Sequence, residues 1–203
     1  MGVIKNGGRI PYTTEARELK EENHSQWVER DPEIKCYMPG VPRATYLPFP
    51  FQIFQNDSSV FIAYEFAGAV REIYMQDVGP AETDSWMGQA VGHWENDTLV
   101  VEVTGQNDQT WFDRAGSHHT NQLVVTERYT IIGPNHIQYE ATMEDPNVFA
   151  LEKHLEEFLI ANWASTALGR DYHISEDDGE LVGQQYPSDT GPIDILAISK
   201  DQK

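Results

Sequence analysis

Between residues 51 and 144, apolar and polar side chains alternate with a period of two. The alternating runs are 51–55, 59–66, 69–75, 89–95, 97–104, 121–132 and 135–144. A strand sends successive side chains to opposite faces, so each run predicts a strand with one buried face. Turn-forming residues separate them: Asn56-Asp57-Ser58, Ala67-Gly68, Asn96-Asp97 and Gly133-Pro134-Asn135. Two pairs predict hairpins, 91–95 with 98–104 and 123–132 with 136–144. Short strands at regular spacing favour an antiparallel barrel or sandwich over a parallel α/β sheet.

The period changes on either side of this block. Thr13-Thr14-Glu15 opens a helix over about 14–29, with Ala16, Leu19 and Trp27 as its few apolar positions. Asp31-Pro32 ends it, because a residue before proline avoids the helical region. Five prolines in 31–50 exclude a central strand or a helix and predict an extended wrap, anchored by Tyr37, Tyr46, Phe49 and Phe51. Leu151, Leu155, Phe158, Leu159 and Asn162 fall at helical spacing, so a helix is expected over 149–163. An acidic tail follows, with a last strand over 193–199. The predicted fold is mainly β: an antiparallel, lipocalin-like or related small β-barrel with an N-terminal and a C-terminal helix. Its parts are 1–50 (helix and wrap), 51–149 (barrel) and 150–203 (helix and tail), in one domain overall.

Hydrophobic residues at 39% and aromatics at 11% give the chain enough apolar surface for a core. Lys and Arg number 14 against 33 Asp and Glu, a net charge of −19. Nucleic acid is excluded as a partner, since phosphate binding needs a basic stripe, and anionic membranes are disfavoured for the same reason. No apolar run reaches the ~20 residues of a membrane span, so no membrane insertion is expected. Cys36 is the only cysteine, which leaves the compartment unread. No secretion leader is visible after Met1; a chain whose leader had been removed would be secreted or periplasmic, and otherwise cytoplasmic.

Alternation also shows which polar residues share a face with apolar ones. Glu127 lies with Leu123, Val125, Tyr129 and Ile131, and Arg71 with Ile73 and Met75. Tyr64 or Glu65 must share an inward face with apolar neighbours. A buried carboxylate in a barrel is a poised acid or base, or else half of an ion pair with Arg71, Arg114 or Arg128.

The segment 105–121 is long for a connection, and long ordered loops carry function. It holds Asn107, Asp108, Trp111, Phe112, Asp113, Arg114, His118 and His119. Adjacent histidines in a strand point to opposite faces, so these two do not share a metal. Asp113 beside one of them would orient an imidazole for proton transfer. Asn107, Asp108 and Asp113 would alternatively hold calcium, although their spacing is not that of an EF-hand. Trp86 and Trp111, in loops, suit a pocket for a flat ligand, whereas Trp94 suits the core. No phosphate loop, dinucleotide fingerprint, nucleophile elbow or zincin helix is present.

Several stretches resemble a large family of uncharacterised bacterial proteins, many of which carry a secretion leader. They are Asp31-Pro32-Glu33-Ile34-Lys35-Cys36, Pro39-Gly40-Val41-Pro42-Arg43, Pro50-Phe51-Gln52-Ile53, Trp86-Met87-Gly88, Gly92-His93-Trp94-Glu95, Thr110-Trp111-Phe112-Asp113, Glu127-Arg128-Tyr129 and Glu144-Asp145-Pro146. The resemblance covers about 6–149. Beyond Phe149 the family continues in strand-like sequence where this chain has helix-like sequence. The resemblance implies no reaction. It implies one common site around Glu65, Arg71, Asn107, Asp113, His119 and Glu127.

The expected function is acid–base catalysis without an organic cofactor, of isomerase, cyclase or lyase type, on a small, partly aromatic molecule. Glu127 or His119 would move the proton, Asp113 would orient His119, and Tyr64 and Arg71 would stabilise negative charge. Trp86, Trp111, Phe112, Glu65 and Asn107 would hold the substrate. The alternatives are a non-catalytic carrier with the same pocket and an acidic interaction module. A homo-oligomer is left open.

Overall fold

The computed structural model describes residues 10–150, 159–160, 163–166, 168–177, 180–181, 184–186 and 193–200. The chain divides into two compact units between Phe149 and Ala150.

The first unit is built on seven strands: β1 (Phe51–Gln55), β2 (Ser59–Tyr64), β3 (Val70–Tyr74), β4 (Gln89–Glu95), β5 (Thr98–Thr104), β6 (Val124–Gly133) and β7 (His136–Glu144). They lie side by side in chain order and curl into a half-barrel. Both expected hairpins form, with Asn96 at φ 54 in the left-handed region that asparagine tolerates. The sheet is mixed, not purely antiparallel. β3 and β4 run parallel over two residue pairs, Ile73 with Ala90 and Tyr74 with Val91. The connection 75–88 turns the chain back so that the start of β4 runs beside the last residues of β3 in the same direction.

Alternation fixes the inner face. Val60, Ile62, Ile73, Val101, Val103 and Val125 are buried there, and Tyr64, Arg71, Glu127 and Tyr129 are buried with them. Trp94 is exposed instead of filling the core.

The N-terminal helix is two pieces, α1 (Thr14–Ser25) and α2 (Trp27–Arg30), broken at Gln26. Thr13 caps α1, its hydroxyl accepting from the Ala16 amide at 3.2 Å. The proline-rich wrap does contain a helical turn, α3 (Arg43–Tyr46), in the proline-free stretch between Pro42 and Pro48. A buried ionic cluster pins the wrap. Arg43 donates to both oxygens of Asp31 at 2.9 Å and to Glu33, and Arg114 from the long loop donates to Glu33 at 2.7 Å. Tyr37 packs at a tilt against Trp86, and Phe49 against Phe66.

The second unit contains short strand pairs. β8 (Tyr172–Ile174) pairs with β13 (Ala197–Ser199), β9 (Glu176–Asp177) with β10 (Glu180–Leu181), and β11 (Gln184–Tyr186) with β12 (Ile193–Ile195). The expected strand over 193–199 is therefore two, split at Leu196. The expected helix over 149–163 lies mostly outside the described residues; Trp163–Ser165 is a 3-10 turn. Among the described residues no helix is long and apolar enough to cross a membrane.

Candidate functional site

Two polar constellations stand out in the first unit. One lies on the inner face of the half-barrel. Glu127 is fully buried, and its carboxylate receives three donors. Tyr129 and Tyr139 each donate a hydroxyl to Oε1 at 2.8 Å, and Arg71 donates Nη2 to Oε2. Burial pushes the Tyr129 and Tyr139 phenols well above their ordinary range, aided by the Glu127 charge, so both stay protonated as donors. The Tyr64 hydroxyl meets Thr45 at 3.0 Å, and Thr45 meets Tyr129 at 3.2 Å. Burial works against the Arg71 charge, but Glu127 and the phenols more than offset it and raise its pKa. Nε and Nη1 of Arg71 are buried without a partner.

The other constellation is a cleft of about 420 Å³ between α1 and the long loop. Glu15, Ala16, Leu19 and Asn23 form one wall; Asp108, Trp111, His118, His119 and Thr120 form the other, with Asn147 and Val148. The walls meet at Gly116. Its φ is +82°, and a Cβ there would lie 2.4 Å from the Lys20 carbonyl oxygen, so helix and loop touch backbone to backbone. Lys20 donates to the Ala115 carbonyl at 3.0 Å and closes the same contact.

The loop is held by side chains standing in for a sheet ladder. Gln106 is buried and brackets Val41, accepting from its amide at 2.8 Å and donating to its carbonyl at 3.0 Å. Asp145 accepts from the amide and hydroxyl of Thr120 at 2.6 and 3.0 Å. His119 is buried with both ring nitrogens engaged. Nδ1 faces the Thr120 carbonyl at 2.9 Å and must carry the proton, so Nε2 accepts from the Thr110 hydroxyl at 2.6 Å. Burial pushes both His119 and His118 below the ordinary imidazole range, so both are neutral at neutral pH. The Nδ1 of His118 is buried, and the Gly116 backbone beside the ring partly offsets the downward push of burial.

Glu127, Arg71 and Tyr64 come together as strand alternation places them, and the ion pair between Glu127 and Arg71 forms. His119 and Trp111 belong instead to the cleft, and Phe112 packs against His119 with ring centroids 5.3 Å apart. Asp113 does not orient His119. Its carboxylate accepts from Ala115 and Ser117 amides and the Ser117 hydroxyl, closing its own turn. Asn107 likewise caps a turn, accepting from the Gln109 amide at 3.2 Å. The loop's own backbone amides thus engage one carboxylate or amide oxygen of each residue. Among the described residues no group of three or more His, Cys, Asp or Glu side chains is arranged for a metal ion. Trp86 packs at a tilt against Tyr37 rather than lining the cleft, with ring centroids 5.0 Å apart. Glu65 is exposed and borders a smaller recess of about 290 Å³ with Tyr64, Phe51 and Gln52.

Sequence reasoning missed Thr110, Tyr139 and Asp145. Tyr139 had a usable signal, since hairpin register places it opposite Tyr129 beside Glu127. Thr110 and Asp145 had none, because each acts through a partner that only the loop's path brings near. Comparison with family models, with curated proteins and with solved structures finds no match for this chain.

Proposed function

We propose that the protein binds a small, partly aromatic molecule in the cleft between α1 and the 105–121 loop. The observation carrying this reading is the cleft itself. It has the volume of a small-molecule site, an apolar floor of Ala16, Leu19, Trp111 and Val148, and polar groups converging from both walls. Binding is favoured over turnover because the groups first suited to move protons are committed. Glu127 is saturated by three donors, and His119 uses both ring nitrogens. Isothermal titration against a panel of small aromatic alcohols, acids and amines tests the reading. Leu19 is half-exposed on the cleft wall, so Leu19→Trp fills the space without touching the core. Binding should vanish in that variant while the melting temperature holds. A ligand that binds the variant as tightly as the wild type sinks the reading.

A second reading, acid–base catalysis of isomerase, cyclase or lyase type, draws on one observation: the imidazole of His118, held neutral at neutral pH by burial, borders the cleft. Such a group accepts a proton at neutral pH. His118→Asn would abolish turnover of any substrate found while leaving its affinity within a few-fold.

A further inference from the structure

Among the described residues β1 pairs only with β2 and forms one edge of the sheet, and its backbone phase is fixed by the pairs at either end. The Pro50 carbonyl accepts from the Glu65 amide and the Asn56 amide donates to the Ser59 carbonyl, both at 3.0 Å. In an antiparallel pair, hydrogen-bonded positions alternate. The even-numbered residues of β1 therefore face β2, and the N–H and C=O groups of Phe51, Ile53 and Gln55 point out of the sheet. Four of the five β1 residues are exposed, including Ile53 at 43% and Phe54 at 54%, with Phe49 beside them at 41%. Proteins ordinarily guard such an edge with charge, an interior proline or a bulge. None is here: residues 44–56 contain no charged side chain, in a chain with 47 charges among 203 residues.

We propose that β1 is a strand-pairing surface for a second copy of this chain. The segment Phe51-Gln52-Ile53-Phe54-Gln55 is its own complement. A two-fold axis through Ile53 sets Phe51 of one copy opposite Gln55 of the other, and every outward N–H meets an outward C=O. That is the isologous geometry of a closed dimer. The uncharged stretch is also where two chains of net charge −19 approach with least like-charge contact. A foreign strand gains the same hydrogen bonds but has no reason to share this register.

Sedimentation velocity of the full chain at high micromolar concentration tests it. The wild type should sediment as a dimer, more completely as salt screens the net charge. Ile53→Lys should sediment as a monomer with an unchanged melting temperature, and Gln55→Lys, on the same exposed strand, should repeat the result. A wild-type monomer at every salt concentration overturns the proposal, and so does a dimer that survives both substitutions. A monomer whose Ile53 amide exchanges slowly with solvent also overturns it, by showing that the chain covers its own edge.

Discussion

The Thr110 hydroxyl and the His119 imidazole meet at 2.6 Å inside the long loop, and both residues are all but buried. The bond lets a histidine sit neutral in a dry place, with one nitrogen donating and the other accepting. Thr110→Val keeps the shape and removes the donor. A buried acceptor left unpaired costs about 1–3 kcal/mol. Urea unfolding should show that loss as a lower midpoint with an unchanged slope, and Thr110→Ser should recover most of it.

The Arg71–Glu127 pair predicts a larger loss. Removing one partner of a buried ion pair typically costs about 3–5 kcal/mol, because the other charge stays behind. Arg71→Met should fall in that range by urea unfolding. The Arg71→Met, Glu127→Gln double variant should lose clearly less than the sum of the singles, since it leaves no buried charge. Additive losses would mean that the two side chains do not act as a pair.

Gly116 and Gly79 separate backbone strain from crowding. Both have positive φ, but a Cβ at Gly79 meets nothing within 4 Å. Gly79→Ala should cost only the left-handed backbone, about 1–2 kcal/mol. Gly116→Ala should cost more and weaken ligand binding, because the new Cβ drives α1 away from the loop. Equal losses in calorimetric melting would remove Gly116 from the cleft's construction.

Acid should destabilise the fold through the two histidines. Burial holds His118 and His119 below 6.5, their ordinary value. As pH falls below 6.5 the unfolded chain binds protons that the folded chain refuses, so stability declines until the folded values are passed. Above 6.5 the contribution is complete. Glu33, held low chiefly by Arg114, adds its own loss below the ordinary carboxylate range. Unfolding free energies measured from mildly acid to neutral pH should fall more shallowly in His118→Asn than in the wild type.

Strand positions were legible because burial with period two leaves a direct trace: β1, β4 and β5 fall within a residue of the expected runs. Glu127 and Arg71 could be placed on an inward face for the same reason. The parallel meeting of β3 and β4 was not legible, since nothing local in 75–88 states where the chain returns. The loop misled more. Asp113 stands close to His119 in sequence, yet a carboxylate two residues before a free amide caps its own turn first. The ionic cluster of Asp31, Glu33, Arg43 and Arg114 was invisible because charged residues in a proline-rich stretch carry no period.

The parallel junction divides the sheet into two meanders, β1 to β3 and β4 to β7, whose backbones pair at only two positions. Within each meander every strand pairs with its neighbour in sequence, and all but β5 and β6 do so across a short turn; β5 meets β6 only across the long loop. Such local pairing speeds folding, whereas a pairing that must wait for a long connection slows it. The loop that carries His119 is thus also the longest span the sheet must close, and the pairing of Val103 with Val125 waits on it.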